Sequence, residues 1–180
     1  MKSILFLFAI NVLVTSCQDS KTEGTSTDAA TTADSNKTPA DLPYTASYSS
    51  NFTMDVSDED LKTVLMSYKD WADGNLANLS KEMGDSIVVV FNDGRNFNGT
   101  NDSLMKMWKT YRDSLSSVTI DMMAWQKMHE PAKNESAILT WYKEIDTYKN
   151  GKVDSAYYHD VNGIKNGRIV YYSQFKRPAK

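Results

Sequence analysis

The sequence predicts an α+β fold, with helices first and a long antiparallel sheet after them. Three observations carry this. Apolar residues recur at helical spacing in three stretches before residue 116. From residue 117 the pattern changes to strand-like runs. Asn150-Gly151 and Asn166-Gly167 fall between those runs, where hairpin corners are needed.

The elements follow in order. Ser57-Asp58-Glu59-Asp60 reads as an N-cap with an acidic first turn. Leu61, Val64, Leu65, Tyr68 and Trp71 then form one apolar stripe, and Gly74 stops the helix. Leu76, Leu79 and Met83 suggest a short second helix. Ser86 to Phe91 is β-rich, and Asn92-Asp93-Gly94 turns it. Leu104, Met107, Trp108, Tyr111 and Leu115 mark a third amphipathic helix. Strands are expected over 117–129, 136–148, 153–163 and 168–176. Helices followed by a meander make an α+β plan.

The first 50 residues carry an address and not a fold. Lys2 precedes an apolar run over residues 4–14, too short to span a bilayer, so residues 1–16 read as a signal peptide. The run ends Val14-Thr15-Ser16-Cys17, which resembles the lipobox of bacterial lipoproteins. That resemblance implies cleavage before Cys17, acylation of Cys17, and a membrane anchor of more than one lipid chain. Gln18, not Asp, follows the cysteine, which favours the outer membrane of a bacterial envelope; whether the domain faces the periplasm or the cell surface stays open. Residues 18–42 hold nine Ser or Thr and five acidic residues but only one large apolar residue, Leu42. Such a segment cannot offset its ordering entropy and reads as a flexible tether reaching roughly 25–30 Å. The expected division is therefore 1–16 signal peptide, 17–50 lipidated cysteine and tether, and 51–178 folded domain.

Composition removes several functions. The full chain has 20 basic and 23 acidic residues, which argues against nucleic-acid binding through bulk charge. Cys17 is the only cysteine, so neither a disulfide framework nor a cysteine-rich zinc site can form. His129 and His159 are the only histidines and sit too far apart for a shared metal. No metal or other cofactor is expected. No glycine-rich phosphate loop or Gly-x-Ser-x-Gly elbow occurs.

The order of elements, running through Trp71-Ala72-Asp73-Gly74-Asn75-Leu76 and closing on Asn166-Gly167-Arg168-Ile169, resembles the nuclear transport factor 2-like superfamily, in particular its SnoaL-like branch. The resemblance implies a strongly curved antiparallel sheet wrapped around three N-terminal helices, a cone with one internal pocket, and homodimers through the sheet. Family members include isomerases, dehydratases, cyclases and proteins without catalysis, so the fold leaves function open.

Taking each hairpin as symmetric about its corner places Trp125 opposite Trp141, Trp141 opposite Asp160, and Asp160 opposite Ser173. One face then collects Asp121, Met123, Trp125, Lys127, Leu139, Trp141, Lys143, Ile145, Tyr158, Asp160, Ile169, Tyr171, Ser173 and Phe175. This face, with both sheet tryptophans, is assigned to the helix-covered hollow. The other face, with Val118, Ile120, Met122, Tyr142, Tyr157 and Tyr172, is left for a second copy of the chain.

Asp160 reads either as a proton-transfer or ligand-orienting group, or as half of an ion pair with Lys143. Tyr68 and Asp93 are the other catalytic candidates. Both stand on the resemblance to the ketosteroid-isomerase branch, which keeps an oxyanion-binding tyrosine and a carboxylate near the first strand's end; Asp93 is equally what its turn demands, and Tyr68 equally a core residue. Trp71, Trp108, Trp125, Trp141, Lys143, Tyr158 and Ser173 complete the expected pocket. The leading functional expectation is an envelope lipoprotein that binds a small apolar or aromatic molecule. The alternatives are an isomerase-, cyclase- or dehydratase-type enzyme and a structural module that docks through its sheet.

Overall fold

A computed structural model describes residues 41–179, so the signal segment and Cys17 lie outside the described residues, as does most of the tether. One compact unit begins at Tyr44. Its first helix, α1 (Asp58–Asp73), starts where Ser57 Oγ accepts from the Asp60 amide at 3.0 Å, with Asp58, Glu59 and Asp60 set against the positive end of the helix dipole. It ends at Gly74, whose φ of 74° lies in the left-handed region that favours glycine. Asn75 then caps α2 (Leu76–Glu82), which runs straight into β1 (Met83–Val90). The Asn92-Asp93-Gly94 turn returns the chain as β2 (Asn96–Thr100), a strand the sequence pattern did not separate from its turn. Thr100 caps α3 (Asn101–Arg112). The meander follows as β3 (Leu115–Glu130), β4 (Glu135–Tyr148), β5 (Val153–Lys165) and β6 (Arg168–Pro178).

The six strands form one curved, unclosed sheet in the order β2-β1-β6-β5-β4-β3. Three helices before a meander are as expected. The sheet is mixed and not purely antiparallel, because β6 returns alongside β1 in the same direction. Val64 of α1, Leu79 of α2 and Leu104 of α3 pack with Ile138 and Ile169 of the sheet in a core where each is at most 2% exposed. Burial of five such side chains is the main stabilising term for this half of the molecule.

Register departs from the expected pairing in several places, each time by one residue; at the β3–β4 corner Glu130 pairs with Glu135, which sets Trp125 opposite Thr140. Between β4 and β5, Tyr148 N donates to Lys152 O at 2.8 Å, so the corner is the three-residue loop Lys149-Asn150-Gly151, with Gly151 at φ 83°. A turn followed by a left-handed glycine is a known three-residue hairpin, and the Asn-Gly pair alone suggests the two-residue kind. Between β5 and β6 the two-residue corner does form, with Asn166 and Gly167 both at positive φ. Beyond it, a bulge on β6 moves the pairing from Ile164–Ile169 to Gly163–Tyr171. On β3 a second bulge inserts Met123 between the pairs Met122–Tyr142 and Ala124–Trp141.

The consequence is that Trp125 pairs with Thr140, Trp141 with His159, and Asp160 with Thr140 and Gln174. A one-residue slip moves a strand's side chains to the other face. The expectation that Trp125 and Trp141 line the helix-covered hollow is therefore corrected. Trp125 shares the face of Thr140 but lies outside the cavity and is 50% exposed, and Trp141 lies against His159 with ring centres 4.6 Å apart, on the sheet's other side. Lys143 and Ser173 share that outer side, with Lys143 over the Tyr157 ring at 5.9 Å. Met123 and Phe175, expected in the core, are exposed instead. Tyr142 and Tyr172, assigned outward, face in.

Candidate functional site

The inward face of β4, β5 and β6 meets the helices around a cavity of about 370 Å³. Its walls are aromatic: Trp71 from α1, Trp108 and Tyr111 from α3, Phe91 after β1, and Tyr158 from β5. Trp71 stacks parallel on Tyr111 at 6.1 Å and meets Trp108 edge-on at 6.1 Å. These rings fall together because α1 and α3 each repeat their apolar stripe at helical spacing, and the stripes turn toward the same concave sheet. Arg112, at the end of α3, ties the two helices by donating to the carbonyl oxygens of Trp71 and Ala72 at 3.2 and 3.1 Å.

The floor is polar. Tyr68 from α1, Tyr142 from β4 and Tyr172 from β6 all line the cavity, and all three hydroxyls donate to one oxygen, Asp160 Oδ2, at 2.9, 2.8 and 2.7 Å. Asp160 is fully buried and stands behind the hydroxyls, away from the cavity wall. Asn162 and Gln174 brace the group: Asn162 Nδ2 donates to Tyr68 Oη at 3.1 Å, and Gln174 Nε2 donates to Tyr172 Oη at 2.8 Å. Thr140 Oγ1 lies 2.7 Å from Tyr68 Oη.

Burial raises the Asp160 carboxyl strongly, and the three tyrosine hydrogen bonds pull it part of the way back, to about 7. The same burial, with the Asp160 charge beside them, holds the Tyr68, Tyr142 and Tyr172 hydroxyls well above the usual phenol value. Around neutrality the carboxyl is therefore the group that titrates, and the phenols stay protonated. When Asp160 is ionised, all three hydroxyl protons point at it. A proton on Oδ2 would displace a tyrosine hydroxyl and free it to donate into the cavity. The arrangement can thus orient a polar ligand atom, and it can pass a proton through a tyrosine.

Of the expected site residues, Asp160, Tyr68, Trp71, Trp108 and Tyr158 come together here. Asp93 lies at the rim and not on the floor. Its carboxylate is ion-paired with Arg95 at 2.7 Å, and the Arg95 amide and side chain hold it below the usual range. Trp141, Lys143 and Ser173 are on the opposite face, so Asp160 forms no ion pair with Lys143, and Trp125, on the Thr140 side, does not line the cavity. Sequence reasoning missed Tyr142, Glu144, Asn162, Tyr172 and Gln174 as cavity residues. Reading Lys149-Asn150-Gly151 as a three-residue loop would have placed Tyr142 and Glu144 opposite Tyr158 and Ala156, and so found two of them. Among the described residues, no cluster of His, Cys, Asp and Glu is spaced to hold a metal ion.

No protein-family model and no curated protein matches the sequence. Solved structures do. An LEH-like epoxide hydrolase from Mycobacterium tuberculosis superposes with a TM-score of 0.57 at 12% identity, covering 67% of this chain and 84% of that one. AusH from Aspergillus nidulans gives 0.55 at 14% identity over 69% and 88%. A nuclear transport factor 2-like protein of unknown function from Burkholderia pseudomallei gives 0.54 at 15% identity over 66% and 91%. At such identities the likeness establishes the fold alone.

Proposed function

Starting from the nuclear transport factor 2-like fold that this chain has, we propose that the domain binds one small, largely aromatic molecule in its cavity and orients it on the tyrosine floor. One observation carries the reading. An aromatic-walled cavity ends on three hydroxyls held by a single buried carboxylate. Apolar walls with a few convergent polar atoms are the usual make-up of small-molecule sites. A neighbour described as epoxide hydrolase-like fits a fold that encloses small organic molecules.

The test is binding of 1-aminoanthracene, a flat aromatic fluorophore, followed by quenching of tryptophan emission. Quenching should saturate with one site. It should persist when Trp125 and Trp141, both outside the cavity, are changed to Phe, and shrink in Trp71→Phe. Absence of saturable quenching, or quenching that follows the outer tryptophans, excludes the reading.

The domain is proposed to act as a lipid-anchored protein of a bacterial envelope, supported by the lipobox-like run ending at Cys17 and by the tether after it. Labelled palmitate should enter the natural chain and not Cys17→Ala. Equal labelling of both removes the anchor.

A further inference from the structure

Asp93, Arg95, Glu144 and Lys176 are the charged residues that line the cavity, and of these four only Glu144 has no ion-pair partner among the described residues. Strand β4 turns Glu144 and Asp146 inward, and β5 adds Asp154 and Asp160. The cations nearby are already engaged. Lys176 pairs with Asp154 at 3.0 Å, Arg95 pairs with Asp93 at 2.7 Å, and Arg112 donates to two carbonyl oxygens of α1. Among the described residues Glu144, Asp146 and Asp160 have no ion-pair partner. Asp146 Oδ1 and Asp160 Oδ1 are buried with no hydrogen bond at all.

Glu144 is the member of this group that lines the cavity. It is 9% exposed, and the Trp71 side chain is the hydrogen-bonding neighbour that acts on its carboxyl. A neutral aromatic ligand would leave this carboxyl against apolar atoms with no counter-charge and with most of its lone pairs unused, which is costly. A ligand carrying positive charge would use both features of the site. The rings of Trp71, Trp108, Tyr111 and Tyr158 attract a cation, and a desolvated carboxylate neutralises it.

We propose that the cavity selects an organic cation, an amine or quaternary ammonium carried on a small aromatic body, with Glu144 as its counter-ion. The proposal rests on the pocket reading above and names the chemical class of its ligand. It also predicts a proton balance. Burial, followed by the charges of Asp146 and Asp160, raises the Glu144 carboxyl to about 8, while Lys176 and the Trp71 side chain act in the opposite direction. Tyr158 on β5 faces the same carboxyl, and on α3 Tyr111 donates to Asp146 while Arg112 lies within charge range of it. At pH 7 the empty site therefore holds a proton on Glu144. A bound ammonium replaces it, and the proton leaves to solvent.

Calorimetric titration of the unlipidated chain with benzyltrimethylammonium and with its neutral isostere neopentylbenzene tests this. At pH 9 the cation should bind about tenfold or more tighter than the isostere. The advantage should shrink toward pH 6. At pH 7, titrations in two buffers of different ionisation enthalpy should show close to one proton released per cation bound, a readout that needs no variant. Glu144→Gln, with its fold checked by near-ultraviolet circular dichroism, should bring the two affinities close together and remove the pH dependence. Equal binding of both compounds at pH 9, no proton release, or an unchanged preference in Glu144→Gln overturns the cation proposal. If neopentylbenzene still binds in those cases, the aromatic pocket stands without it. If neither compound nor 1-aminoanthracene binds, both readings fail.

Discussion

Replacing Asp160 with alanine is expected to destabilise the domain by roughly 3–5 kcal/mol, one of the largest effects any single side chain here can produce. The reason is the number of donors that depend on it. Tyr142 and Tyr172 donate to Asp160 Oδ2, and Tyr68 divides its hydroxyl between Asp160 and Thr140. Removing the carboxylate strands at least two buried hydroxyls and opens a small void beneath the cavity floor. Asp160→Asn keeps an acceptor of the same shape in the same place and is expected to cost less than about 1.5 kcal/mol. Urea denaturation of both variants separates the two outcomes. A loss below about 1 kcal/mol for the alanine variant would mean that the tyrosines find other acceptors, and that Asp160 does not organise the floor.

The second large effect is on pH. Glu82 and Glu144 are raised by burial from 4.5 to about 8, and Asp160 from 3.8 to about 7. For Glu82 the Asp70 carboxylate adds to the shift. In each case the folded state keeps a proton that the unfolded chain has already lost. Stability is therefore fully present below about pH 4, and it falls as pH rises through the interval from those ordinary values up to about 8. The exposed ion pairs do not mask this. Asp58, Asp93 and Asp154 are lowered by Lys127, Arg95 and Lys176, so their contribution is lost only in acid. The melting temperature at pH 8.5 is expected to lie roughly 10 °C below that at pH 5. Glu144→Gln should flatten part of that slope. A melting temperature that is level or rising over this range would show that these carboxyls are hydrated in the folded protein.

Much of the fold was legible because its signals are local. Ser57 and Gly74 bracket α1 by capping chemistry, and the meander's strands begin and end within a few residues of where alternation and turn residues placed them. Asp160 and Tyr68 were legible as candidates, one as a carboxylate among strand aromatics and the other as a tyrosine on an apolar stripe. Their direct hydrogen bond was not, because it joins residues 92 positions apart. The pocket lining was misassigned for a narrower reason. Facing along a strand depends on parity, and parity depends on loop length and on bulges, which no short run of residues announces. Met123 and Val170 look like ordinary strand residues. Only pairing with the neighbouring strand reveals that each occupies an extra place.

The three-residue corner Lys149-Asn150-Gly151 therefore governs more than a change of direction. Strand β5 carries two interleaved alphabets, Tyr158-Asp160-Asn162 and Tyr157-His159-Val161, and the corner decides which of them is read by whatever enters the hollow. Shortening it by one residue would turn over the displayed set, keeping a phenol but substituting imidazole and aliphatic groups for acid and amide without replacing one amino acid. In a scaffold of this shape, insertions and deletions at hairpin tips are a route to new binding chemistry as direct as substitution on the cavity floor.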